Sequence, residues 1–201
     1  APPPASFDDY VISYMGEIIA NGVESSVWSG TGATAGEFEG FLTATTGAFA
    51  VDGTVNASTA SAAYTAANII ANLQQLTSDM ATDISAVLRK EDLHIYMSPK
   101  TYALYISAVS SAGYVNAYNM NGDYVPVFEG YKIAVCNGMP NNQLVAAEKS
   151  NLFFGTDLLS DQTRIALMDM AALDGSDNMR LVARYSGGVQ LGIGADIVHQ
   201  S

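Results

Sequence analysis

The side chains best suited to nucleophilic or metal chemistry near neutral pH are one cysteine, Cys136, and two histidines, His94 and His199. A thiol needs a base to ionise it, and such pairs meet in space and not in sequence. Cys136 with His94 is therefore a candidate nucleophile pair for a hydrolase. The competing reading, and the commoner outcome, is a small buried thiol at a strand end and a hydrogen-bonded histidine in an apolar strand. Neither histidine has a second histidine or a cysteine at zinc-ligand spacing. Gly30-Thr31-Gly32-Ala33-Thr34-Ala35-Gly36 has the look of a dinucleotide loop. Its spacing is one residue too long, however, and a helix precedes it where a strand is required. No Gly-x-Ser-x-Gly elbow occurs. Asp157, Asp161 and Asp169 could supply paired carboxylates, but each has a turn or surface reading. Asp174, Asp177 and Asn178 lack the spacing of a calcium loop, and Asp174-Gly175-Ser176-Asp177 is first of all a hairpin turn. Asn56-Ala57-Ser58 fits a glycosylation sequon that has no secretion signal to support it. No catalytic residue, cofactor or metal is expected.

The composition points away from several partners. Acidic residues outnumber basic ones 20 to 8, giving a net charge of −12. The longest basic run is Arg89-Lys90, too little to displace counterions from nucleic acid or to hold an anionic membrane. Charged residues make up 14% of the chain, against a usual ~25%, which suits a protein that buries surface against partners. A single cysteine rules out an intramolecular disulfide and fits a reducing compartment. No apolar run approaches the ~20 residues that span a bilayer. Residues 1–6 lack the features of a signal peptide. Pro2-Pro3-Pro4 is a short extended lead-in, and the abrupt start reads as a processed or trimmed terminus.

The elements that would position these residues follow from periodicity. Residues 7–28 read as a helix: Ser6 can cap it, Asp8 and Asp9 suit its first turn, and Val11, Met15, Ile18 and Ile19 form an apolar stripe. At ~30 Å it is long for a chain of this size. A Gly/Thr/Ala loop follows at 29–40, its end anchored by Phe38 and Phe41. Residues 43–63 carry little regular signal. Helical spacing returns over 64–80 through Ile69, Leu73 and Leu76. Residues 93–97 form a strand, and Pro99 opens a helix through Val109. Further strands lie at 131–135 and 144–147. Ile165 and Leu167, then Leu181, Ala183 and Tyr185, alternate around the 174–177 turn as a long antiparallel hairpin, and Val189, Leu191 and Ile193 continue the alternation. The class is α+β.

Tyrosines crowd residues 102–131. Tyr102, Tyr105 and Tyr131 fall on regular elements and are expected in the core. Tyr114, Tyr118 and Tyr124 lie in a Gly/Asn-rich loop, where a large apolar face with a polar tip favours an interface.

The order of these segments resembles the major capsid protein of tailed bacteriophages, with the Hong Kong 97-type fold. Val23-Glu24-Ser25-Ser26-Val27-Trp28-Ser29-Gly30 and Phe38-Glu39-Gly40-Phe41-Leu42 are similar to the end of that family's spine helix and the segment after it. Ile95-Tyr96-Met97-Ser98-Pro99-Lys100-Thr101-Tyr102 resembles its strand–Ser-Pro–helix step. Phe128-Glu129-Gly130-Tyr131-Lys132-Ile133, Gly138-Met139-Pro140 and Asn151-Leu152-Phe153-Phe154-Gly155-Thr156-Asp157 follow in the family's order, and Gly194-Ala195-Asp196-Ile197-Val198 resembles its closing strand. The likeness spans roughly residues 7–199. It departs from the family in having only six residues before the spine helix, where an arm and an extended loop normally stand.

The resemblance implies a peripheral domain from residues 1–45 and 155–201 and an axial domain from 46–154. It implies a non-enzymatic subunit of an icosahedral virion, assembling in the host cytoplasm into pentamers and hexamers around double-stranded DNA. Its partners would be copies of itself, with scaffolding or portal protein in addition. Tyr114, Tyr118, Tyr124, Glu24 and Trp28 are the candidate assembly residues. The alternatives are an encapsulin-like compartment shell, a phage tail or adhesion module whose tyrosine loop binds a surface ligand, and, last, the Cys136 hydrolase.

Overall fold

The computed structural model describes residues 7–34, 36–60, 63–83, 92–112, 126–157, 165–171, 175–176, 178–183 and 185–201. Helix α1 (Phe7–Ser29) runs for 23 residues, about 34 Å at ~1.5 Å per residue; Ser6, its expected cap, lies outside the described residues. The following stretch, which lacks a periodic pattern, contains α2 (Ala48–Asp52) and β1 (Asn56–Ser58). Tertiary contacts create both: Phe49 is buried, Gly53 closes α2 in the left-handed conformation, and β1 exists by pairing with a strand at the far end of the chain.

Helix α3 (Ile69–Asp83) begins later than its spacing suggests. The reason is local. Asn68 Oδ1 accepts the Thr65 N–H at 2.7 Å, and Asn142 Oδ1 accepts that of Tyr64 at 3.0 Å. A first helical turn would leave these N–H groups unpaired, and the two side chains satisfy them in an irregular turn ahead of α3. Strand β2 (Leu93–Met97) leads through Ser98 into α4 (Pro99–Ser111); the Ser98 hydroxyl accepts the Thr101 N–H, and Pro99 fills the first turn. Strands β3 (Val127–Phe128) and β4 (Tyr131–Val135) are joined by Glu129 and Gly130, both at positive φ, the geometry of a two-residue hairpin turn. Then come β5 (Leu144–Glu148), β6 (Leu152–Thr156), β7 (Ile165–Asp169), β8 (Met179–Ala183), β9 (Gly187–Leu191) and β10 (Val198–Gln200).

Six strands form one sheet in the order β1-β10-β5-β2-β4-β3. Strand β5 is buried on both sides, and its alternation divides the core in two. Leu144 and Ala146 join Leu93, Ile95, Met97 and Ile133 beneath α3 and α4, where Ile69, Leu73, Leu76 and Met80 present one helical stripe. Tyr102, Tyr105 and Tyr131, expected in the core, pack half-buried at the margin of this cluster. Val145 and Ala147 face the other way, toward Trp28, Phe41, Phe49, Met139, Leu191 and Ile197. At the centre, the fully buried Gln200 donates to the Ser58 hydroxyl and the Asn72 carbonyl and accepts from the Tyr64 hydroxyl. A buried amide is tolerable only when satisfied in this way.

The terminal third differs from its alternation in one respect. Strands β7 and β8 pair antiparallel, as expected, and the register sets Ile165 opposite Ala183 and Leu167 opposite Leu181. Val189 and Leu191, however, do not continue that hairpin. They belong to β9, which pairs with β6 in a separate ribbon, and Ile193 is exposed beyond its end. Period-two spacing sets which face a residue occupies but not which strand becomes its neighbour. Strand β10 leaves this region and inserts between β1 and β5.

His199, on β10, is half-buried with its ring edge toward Phe49 and Nε2 3.4 Å from Gln143 Oε1. Burial lowers its pKa below the ordinary histidine value. Between the folded and unfolded pKa values the unfolded chain holds the extra proton, so stability falls as pH drops below about 6.5. Thermal unfolding across this range should show the loss in the native protein and a shallower slope in His199→Gln. Equal slopes would remove His199 as the cause.

Candidate assembly surface

The last two turns of α1 carry Trp28 into the interior and Glu24 to its margin. Trp28 is 5% exposed, its ring centroid 5.8 Å from that of Phe41 and 5.5 Å from that of Tyr96 on β2. Glu24 Oε1 accepts two backbone donors from the turn after β4: Asn137 N at 2.7 Å and Gly138 N at 3.3 Å. Gly138 lies so close to the helix that a Cβ there would overlap the Glu24 carbonyl and stand 2.6 Å from Ser25 N. On the other side the chain returns through Phe41 and Leu42, whose N–H groups donate to the Val27 and Trp28 carbonyls at 2.9 and 2.8 Å. These carbonyls are among those a helix end leaves open. Both candidates thus make contacts inside the subunit, and Trp28 is covered there. The expected anchoring of the Gly-rich loop at Phe41 holds.

The rest of α1 is different. None of its side chains described from Asp9 to Ser25 is buried. Tyr10, Tyr14 and Ile18 follow one another at four-residue steps and are 64%, 53% and 46% exposed, the two tyrosine rings stacked at 6.4 Å. Beside this row, Gly16, Ile19, Val23, Val27, Phe154 and Tyr185 line an open groove of about 530 Å³. The Tyr185 hydroxyl donates to the Gly36 carbonyl and ties the Gly-rich loop to this side. Phe153, Met168 and Met179 are further exposed apolar side chains on β6, β7 and β8. Of the stripe read from periodicity, Val11, Met15, Ile19, Val23 and Val27 are half-buried, and only Ile18 falls on this exposed row. Tyr114, Tyr118 and Tyr124 lie outside the described residues.

Cys136 and His94 do not meet. The parallel register sets His94 opposite Lys132, and Cys136 lies four positions further along, about 13 Å at ~3.3 Å per residue. Burial, aided by the Glu24 charge and opposed by a hydrogen bond with Trp28, pushes the Cys136 thiol up to about 11. His94 Nδ1 is instead 2.7 Å from the Asp92 carbonyl, a boundary histidine. Among the described residues no three His, Cys, Asp or Glu side chains are grouped to hold a metal ion, and no helix is long and apolar enough to cross a membrane.

Two outcomes follow. Gly138→Ala should lower the melting temperature by several degrees, through overlap with helix backbone that cannot yield. Gly16→Ala, where a Cβ meets nothing within 4 Å, should raise stability by up to ~1 kcal/mol. Thermal unfolding that gives both variants the same sign would refute the close joint. Native Cys136 should react slowly with a thiol reagent at neutral pH, with the rate rising as pH approaches 11. Rapid labelling at neutral pH would contradict the buried thiol.

No curated protein matches the sequence, whereas solved structures do match the fold. A chain from Mycobacterium phage Che8 aligns with a TM-score of 0.59 at 12% identity, covering 97% of this chain and 63% of that one. The capsid of an empty GTA particle aligns at 0.58 and 13%, covering 98% and 67%. The capsid of Myoviridae phage XM1 aligns at 0.53 and 12%, covering 96% and 65%. The chain therefore spans about two thirds of these proteins, and at such identities they show the fold alone. The phage capsid family matches the sequence itself over residues 3–178. With the long helix, the two-faced sheet and the order of the resembling segments in agreement, this chain belongs to the phage capsid family.

Proposed function

We propose that the protein is a structural subunit of an icosahedral virion shell. It assembles with copies of itself into pentamers and hexamers that enclose double-stranded DNA, in the cytoplasm of the host. The observation that carries this reading is the family match over residues 3–178. The exposed row Tyr10, Tyr14 and Ile18 supports it, because a contiguous apolar patch on a subunit marks a contact surface. A net charge of −12 suits a container wall that does not grip its DNA. Scaffolding or portal protein would be further partners.

In this proposal residues 1–45 and 155–201 form the peripheral domain and 46–154 the axial domain. The β10 strand, hydrogen-bonded between β1 and β5, joins the two through one sheet. Tyr114, Tyr118 and Tyr124 face the centre of the capsomer. Glu24 and Trp28 contribute by setting the pose of the spine helix and not by touching a neighbour.

Size-exclusion chromatography with electron microscopy, over a range of salt and crowding, should show capsomers or shells. Tyr114→Ala with Tyr118→Ala should weaken assembly by about tenfold or more, the scale of a lost interfacial aromatic, while leaving the subunit's melting temperature unchanged. A protein that stays monomeric under every condition would contradict the proposal.

A further inference from the structure

The turn after β4 holds a reactive dipeptide. An asparagine followed by glycine is the sequence most open to spontaneous deamidation, because the glycine nitrogen reaches the asparagine side chain without hindrance. Asn137 is exposed, and its side-chain amide has no hydrogen-bond partner among the described residues. Residue 138 must be glycine, since any Cβ would overlap the Glu24 carbonyl. The close fit of turn to helix therefore imposes the dipeptide's reactive partner.

The same joint restrains the reaction. Glu24 Oε1 accepts the N–H of Asn137 and that of Gly138, the attacking nitrogen. Attack requires that nitrogen to lose its proton and swing toward Asn137 Cγ. A carboxylate holding the N–H opposes both, since its negative charge disfavours the amide anion and the charge-assisted bond fixes the backbone.

We propose that Asn137–Gly138 is a deamidation site held latent by Glu24, and that its conversion loosens the joint between the spine helix and the sheet. The steps are the formation of a bond from Gly138 N to Asn137 Cγ, cleavage of the Cγ–Nδ2 bond, and departure of ammonia with the proton from the glycine nitrogen. Water then opens the cyclic imide at either carbonyl, leaving aspartate or isoaspartate. Aspartate brings a new carboxylate to the site where Glu24 already binds. Isoaspartate lengthens the backbone by one carbon where the turn can least accommodate it. Either way, like charge or displacement opposes the two Glu24 hydrogen bonds.

The test is incubation of the intact protein in mildly alkaline buffer, followed by peptide mapping for the one-dalton gain at residue 137 and for isoaspartate. Asn121-Gly122, one of two further copies of this dipeptide in the chain (the other is Asn21-Gly22), serves as internal reference. Glu24→Ala should speed conversion at Asn137 by about tenfold relative to Asn121, the factor that ~1.4 kcal/mol represents, and Glu24→Gln should have an intermediate effect. Should Glu24→Ala fail to fold, the native protein is compared with itself unfolded in urea, and Asn137 should convert at least tenfold faster when unfolded. Asn137→Asp should lower the melting temperature. Equal rates at Asn137 in native and urea-unfolded protein, or equal acceleration at both dipeptides in Glu24→Ala, would overturn the proposal.

Discussion

The structure depends on a gap too narrow for any side chain, where the turn at Gly138 lies against the backbone of α1 at Glu24 and Ser25. The close approach brings Glu24 within reach of two turn N–H groups and lets Trp28 enter between Phe41 and Tyr96. A long helix bears little of its own stability and needs packing of one face. Here that packing is concentrated at the C-terminal end, where helix carbonyls are also capped by the returning chain at Phe41 and Leu42. Anchored at one end, the remaining turns of α1 project an apolar row that the subunit itself leaves open.

This division of labour extends through the sheet. Strand β5 separates a core closed by α3 and α4 from a second core closed by Trp28, Phe41 and Phe49. The first core needs nothing beyond its own layer. The second is where the spine helix attaches, so the helix pose is coupled to the strands that carry the 136–140 turn. Tyr10, Tyr14, Phe153 and Met179 lie away from both cores and are exposed.

Much of this is legible in the residues. The spacing of Ile69, Leu73 and Leu76 gives α3, Ser98-Pro99 gives the start of α4, and the antiparallel pairing of β7 with β8, though not its register, follows from the alternation on either side of residues 174–177. Three things are not legible, each for a physical reason. Strand β1 has no pattern of its own because it forms by pairing with β10, more than a hundred residues away. The partner of β9 depends on tertiary neighbours, which a period of two does not encode. On α1 the stripe of Val11, Met15 and Ile19 is half-buried while the neighbouring row of Tyr10, Tyr14 and Ile18 is exposed, a difference that depends on tertiary neighbours and not on spacing. Glu24 and Trp28 stand out by type and position, but the contacts they make with the 136–138 turn, Phe41 and Tyr96 depend on the tertiary fold. The candidate pair Cys136 and His94 illustrates the converse, since neighbouring strands can hold two reactive residues four positions out of register.

The central claim is that α1 is anchored most firmly at its C-terminal end within the subunit, and that its exposed row Tyr10, Tyr14 and Ile18 is open to the contact with other copies proposed above. Amide hydrogen exchange, compared between free subunits and assembled particles, tests this most directly. The account predicts that amides of residues 26–29 and of the 136–140 turn are protected in both states, while those of residues 10–22 exchange readily in the free subunit and become protected on assembly. Equal protection of residues 10–22 in the two states would contradict it.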